Sequence, residues 1–155
     1  HSLSKRSGLP GLRSGLVAGD PALLASQRAF RNVAAPTVPA PVLAASAAAW
    51  RDEAHVAANR ATYAERMAMA EVILGNRMKR PDGALFLWLD VGNGADFARR
   101  AWAEQGVRLL PGVTMGREID PGKSQSNPGF SYVRVALVSD LSTIKAALER
   151  LREIL

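Results

Sequence analysis

Lys5 is the residue of this chain best placed for covalent chemistry, and the run HSLSKRSGLPGLRSG around it indicates which kind. A lysine amine attacks an aldehyde only when it is held close and partly neutralised, and cationic neighbours and desolvation both favour the neutral form. Arg6 is such a neighbour in the sequence. Ser2 and Ser4 bring hydroxyl donors, the glycines at 8, 11 and 15 let backbone come close to a ligand, and Arg13 brings a planar fork suited to phosphate oxygens. The arrangement predicts carbonyl chemistry beside a phosphate.

The elements that must hold this loop follow from the punctuation of the chain. Ser14 to Gly19 is small, apolar and bounded by glycines, which predicts a buried strand. Asp20 before Pro21 is a helix start, and the helix is expected to run to Arg31. Asn32 to Pro41 carries three prolines and reads as an extended connector. Helices follow over Pro41 to Trp50 and, capped by Asp52, over Glu53 to Leu74. In the second, Val56, Tyr63, Met67, Ala70 and Leu74 share one face and Gly75 is the stop. At 1.5 Å per residue it is roughly 30 Å long, enough to brace two domains.

Beyond it strands and helices alternate, predicting a small α/β or α+β unit. The strands are expected at Ala84 to Val91, Val107 to Leu110 and Ser131 to Val138, with a helix at Ala95 to Gln105 ended by Gly106 and a polar loop at Gly116 to Gly129. A last helix capped by Asp140 places Leu141, Ile144, Leu148, Leu151 and Leu155 on one face. Trp50, Trp88 and Trp102 read as core, and His55 as a surface or capping residue.

Composition narrows the function classes. With 155 residues the chain can form one ordinary domain, or a small domain carrying a piece of another. It has no cysteine, so disulfides, thiolate metal sites and cysteine nucleophiles are excluded. The net charge is +6, but the sixteen arginines are scattered among acids with no cluster beyond pairs. Such scatter reads as solvated helix faces and not as a nucleic-acid surface. No apolar run has the length of a membrane span and no signal-peptide order opens the chain, so a soluble, cytoplasmic protein without a metal centre is expected.

Ser2, Leu3, Ser4, Lys5, Gly8, Leu9, Gly11, Arg13 and Gly15 match, position by position, the lysine signature of the class I and II pyridoxal-phosphate aminotransferases, which the loop therefore resembles. Ser14 departs, since most members carry an aliphatic residue there. Tyr132 to Ala136 (YVRVA) looks like the strand on which this family carries its substrate-carboxylate arginine. Taken alone, Arg134 reads more readily as a charge at the end of a buried strand paired with an acid, and it is the Lys5 motif upstream and the order of elements between them that reverse this reading. Within the family, RNVAAPTVPAPVLAASAAAW, LFLWLDV and VRLLPGVTMGRE are most similar to the N-succinyldiaminopimelate aminotransferases of lysine biosynthesis.

The resemblance implies an α/β chain that is the C-terminal part of a fold type I transferase. Residues 1–40 would end the large cofactor domain, 41–75 would be interdomain helices, and 76–155 a complete small domain of α+β type. It implies pyridoxal 5'-phosphate held by Lys5, with Ser2 and Arg13 anchoring its phosphate and Ser4 supporting them. Lys5 would carry the proton shuttled from substrate Cα, and Arg134 would grip the α-carboxylate of each amino-acid or 2-oxo-acid substrate. A homodimer is implied, and a fragment of this extent would be inactive alone. The absence of any basic residue from Asn32 to Trp50 argues against an aspartate-specific member. Another aminotransferase, a carbon-sulfur β-lyase or a non-catalytic regulator module of the same fold are the competing readings.

Overall fold

Asp20, Asp52 and Asp140 each stand just before a helix and accept its first free N–H groups, and these three caps set the frame of the chain. The computed structural model describes residues 1–34 and 38–155. Asp20 Oδ1 takes the Ala22 and Leu23 amides at 2.8 and 3.3 Å. Asp52 Oδ1 takes that of Ala54 at 2.9 Å. Asp140 accepts from the Ser142 and Thr143 hydroxyls and the Thr143 amide, which together hold its carboxyl well below the ordinary carboxylate value.

The helices are α1 (Leu3–Arg6), α2 (Pro21–Ala34), α3 (Ala40–Arg51), α4 (Ala54–Leu74), α5 (Gly94–Gln105) and α6 (Leu141–Ile154). Strands β1 (Phe86–Asp90), β2 (Leu110–Pro111) and β3 (Tyr132–Ala136) form one antiparallel sheet in the order β1-β3-β2. The chain divides into two units, His1–Ala61 and Thr62–Leu155, with the boundary inside α4.

In the first unit α2 is longer than expected, reaching Ala34, so Asn32 to Ala34 belong to the helix; residues 35–37 of the expected connector lie outside the described residues. Ser14 to Gly19 is not a strand. Its one ladder contact is an isolated bridge between Ser2 and Gly15, and Leu16 and Val17 are exposed. A strand exists only as part of a sheet, and the backbone bonds of this segment, Leu16 with His1 in both directions and Ser14 O with the Leu3 amide, are too few to make a ladder. The departure at Ser14 has a partner instead. Ser14 is buried with Ser46 of α3, whose Oγ lies 2.8 Å from Ser14 Oγ and 2.6 Å from Val42 O. A hydroxyl has one proton, so Ser46 donates to the carbonyl and accepts from Ser14. Ser46→Ala is expected to strand the Ser14 hydroxyl and cost about 1–2 kcal/mol, while alanine at both positions recovers part of the loss; urea midpoints of the three variants check this.

In the second unit one face of the sheet is covered and the other is open. Leu87, Leu89, Val133 and Val135 are buried with Met67, Ala70 and Leu74 of α4, Phe97 and Ala101 of α5, and Ile144, Leu148 and Leu151 of α6. The open face carries Phe86, Trp88, Tyr132 and Arg134. Trp88 is therefore not core, being 40% exposed, and Trp102 on the outer side of α5 is 62% exposed. Leu141 is also exposed. The second strand is shorter than its apolar run, because Gly106 ends α5 in the left-handed conformation and the Val107 amide turns back to Ala101 O at 3.0 Å. Val107 is thus spent on a helix cap and not on a ladder.

Gly94 opens α5 against β3. A Cβ there would stand 1.9 Å from the Tyr132 carbonyl oxygen, which is backbone and has no rotamer to yield. Gly94→Ala is expected to destabilise this unit by about 3 kcal/mol, read as a fall in the denaturation midpoint. An unchanged midpoint would show that helix and strand are free to part.

Candidate functional site

The lysine loop is built from a single helical turn. Ser2 caps α1, its Oγ accepting the Ser4 amide at 3.2 Å, which leaves the hydroxyl its own proton to donate. Leu3 is fully buried and its amide bonds to Ser14 O at 3.1 Å, so the turn is pinned by an apolar anchor and one cross-loop bond. Ser4 is half-buried, and Lys5 projects from the same turn, exposed.

Arg13 closes a short 3-10 turn at Pro10–Leu12 and sits at φ 49° and ψ 37°, the one non-glycine residue of positive φ among the described residues. An arginine in this region costs of order 1 kcal/mol against glycine, and such strain persists where the side chain is needed. Its Nη1 donates to Pro10 O at 3.2 Å, and the side chain is otherwise exposed.

Arg6, the cationic neighbour that the sequence suggests, directs its guanidinium to the end of α3. Adjacent residues of a helix point apart. Its guanidinium is committed to the end of α3, donating to Ala49 O at 2.7 Å and to Trp50 O at 3.4 Å, pairing with Glu53, and lying 5.1 Å from the Trp50 ring centroid. The orphan carbonyls of a helix C-terminus attract a cation, which is the reason for this choice.

His55 is likewise more than a surface residue. Its Nδ1 lies 2.8 Å from Asp52 Oδ2 and its Nε2 lies 2.8 Å from Ser7 Oγ. The His55 bond, followed by the Ala54 amide, lowers the Asp52 carboxyl below its ordinary value. The Asp52/His55 spacing of three residues at a helix start was a readable signal, whereas nothing in the sequence singles out Ser7.

Arg134 stands in the second unit, so the predicted residues divide: Ser2, Ser4, Lys5 and Arg13 in one unit, Arg134 in the other. It occupies the middle of β3, opposite Trp88 on one side and Leu110 on the other. Its guanidinium carbon lies 5.3 Å from the Phe86 ring centroid, and among the described residues no carboxylate pairs with it. Trp88 and Tyr132 stack at 5.4 Å on the same face. Beside them opens a cleft of about 680 Å³ lined by Arg77, Lys79, Arg80, Asp82 and Asp90, whose opposite charges nearly balance.

A capped turn bearing an exposed lysine, followed by an arginine held left-handed, together with a half-open antiparallel sheet, defines a partial fold type I transferase of mixed helix and sheet. The chain belongs to the family of class I and II aminotransferases, whose model matches residues 1–151. It is 39% identical over 154 residues to a Streptomyces rimosus protein, 4-dedimethylamino-4-oxo-anhydrotetracycline transaminase, covering 97% of this chain and 40% of that one. It superposes on the crystal structure of an aminotransferase from Neisseria meningitidis with a TM-score of 0.86 and 41% identity, over 99% of this chain and 39% of that one. A probable N-succinyldiaminopimelate aminotransferase from Thermus thermophilus gives a TM-score of 0.80 at 27% identity, over 99% and 40%. The chain thus spans about two-fifths of the length of these relatives. Among the described residues no helix is long and apolar enough to cross a membrane.

Proposed function

We propose that this sequence belongs to a pyridoxal-phosphate-dependent aminotransferase that moves an amino group between glutamate and a 2-oxo acid. The observation that carries this is the lysine loop itself. An exposed amine, a capping hydroxyl with its proton unspent and a guanidinium held at a backbone cost are donors that suit an aldehyde carrying a phosphate. Pyridoxal phosphate, when bound, supplies that aldehyde and a ring that withdraws electrons from the substrate Cα. Lys5 Nζ would act as the base that takes the substrate Cα proton and as the acid that delivers it to the former aldehyde carbon and not back to Cα. Ser2 and Arg13, with Ser4 in support, hold the phosphate, and Arg134 holds the substrate α-carboxylate by two parallel charge-assisted bonds. In this reading residues 1–40 complete a large domain, 41–75 join it to a small domain at 76–155, and the working enzyme is a cytoplasmic homodimer.

The activity is assigned to a polypeptide of the relatives' length. The 155 residues by themselves are expected to be inactive: α2 buries no residue, and Leu23, Phe30 and Val33 stand 73%, 70% and 86% exposed, a face that needs cover.

For the acceptor we favour the 2-oxo acid of N-succinyl-LL-2,6-diaminopimelate, supported by the sequence resemblance and by the Thermus relative's name. The Streptomyces relative supports a second reading, transfer to the ketone of a polycyclic acceptor. The deciding experiment offers both acceptors, with glutamate as donor, to the full-length polypeptide that carries this sequence. Turnover of the succinylated acid alone upholds the first reading and turnover of the ketone alone the second. Failure to release 2-oxoglutarate with any acceptor overturns aminotransfer itself.

A further inference from the structure

The helical turn that carries Lys5 is four residues long, far below the length at which a helix stands by itself in water. Its order is therefore supplied by contacts. Ser2 and Leu3 anchor its start, and the two residues after Lys5 hold its end, both fastened to the junction of α3 and α4. Arg6 grips the end of α3. Ser7 is the C-cap of α1: its amide bonds to Leu3 O at 3.0 Å, and its hydroxyl meets His55 Nε2 at 2.8 Å.

Behind His55 stands Asp52, 2.8 Å from Nδ1 through one oxygen while the other caps α4. A carboxylate only accepts, so it fixes the imidazole proton on Nδ1 and turns the Nε2 lone pair toward the Ser7 hydroxyl. The chain of bonds is thus a mechanical brace. The order Ser, His, Asp is that of a nucleophilic triad, but Ser7 lies at the carbonyl end of its helical turn, where N–H donors for an oxyanion are lacking.

We propose that Asp52 and His55 are positioning residues for Lys5, acting through Ser7. This rests on the reading of Lys5 as the cofactor lysine. The test uses the full-length, cofactor-loaded polypeptide and the variants Ser7→Ala, His55→Ala, the double variant, and Ser7→Thr, which keeps the hydroxyl. Two quantities are measured: the rate of pyridoxal phosphate release into a trapping apoenzyme, and the fraction of Lys5 labelled by borohydride reduction, read by mass spectrometry.

Each alanine variant is expected to speed release about fivefold, the worth of one hydrogen bond. The double variant is expected to be no faster than either single one, because both cut the same chain. Ser7→Thr is expected to restore the slow rate, and kcat is expected to fall with the amino-acid KM unmoved. Unchanged release in the alanine variants, or single effects that multiply in the double one, overturns the proposal; should His55→Ala fail to fold, Ser7→Ala and Ser7→Thr decide it. A wild-type polypeptide that cannot be labelled at Lys5 overturns the cofactor reading together with this one. Labelled wild type with unmoved variants overturns this one alone.

Discussion

Lys5→Ala in the full-length polypeptide is expected to lower transamination by at least about 10⁴-fold, because in the proposed mechanism one substitution removes both the covalent anchor of the cofactor and the base that moves the Cα proton. The two roles need the same atom, so no neighbour can substitute for it in part. Arg6, next in sequence, is committed to the end of α3 and to Glu53. Lys5→Arg sharpens the test, since arginine keeps the positive charge but never becomes a neutral nucleophile. Both variants are expected to be equally inactive, and single-turnover kinetics with glutamate would measure the loss. Normal turnover in either would overturn the mechanism, and activity in the arginine variant alone would reduce Lys5 to a charge.

Arg134→Lys is expected to raise KM for every substrate bearing an α-carboxylate by about 10–100-fold, because in the proposed mechanism a point charge would replace a fork that fixes both the place and the plane of the carboxylate. The strand itself tolerates the change, as its ladder to Trp88 and Leu110 is made by backbone. The side chain lies over Phe86 with no acid partner among the described residues, so no buried carboxylate is left exposed by the substitution. An amine substrate without the α-carboxylate supplies the control: wild type and variant are expected to handle it alike. An unchanged KM for amino acids would make Arg134 an ordinary strand charge.

The parts of the fold that were legible in the sequence are those that depend on near neighbours. Asp20, Asp52 and Asp140 as caps and Gly106 as a stop follow from the rules of helix ends, which reach only a few residues. Failures came where a distant partner decides. Ser14 to Gly19 has strand composition but no sheet to join among the described residues, and Val107 is claimed by the α5 cap. Trp88 and Trp102 read as core in the sequence, although hydrophobicity does not say which face of a sheet or helix is covered. The lysine loop was readable because its residues are consecutive. The roles of Arg6 and Ser7 were not, since they are set by contacts 43 to 48 residues away in the chain.

The strand order β1-β3-β2 puts Arg134 on the one strand with neighbours on both sides. Amides so placed are screened from deuterium on both edges and exchange only when the whole sheet opens. The lysine turn, with four residues and a few cross-loop bonds, has no such protection. The backbone of Arg134 in its own unit is thus expected to exchange slowly, and that of the lysine turn in the other unit quickly, so that a mild loosening of the fold would be read first in the amides around Lys5.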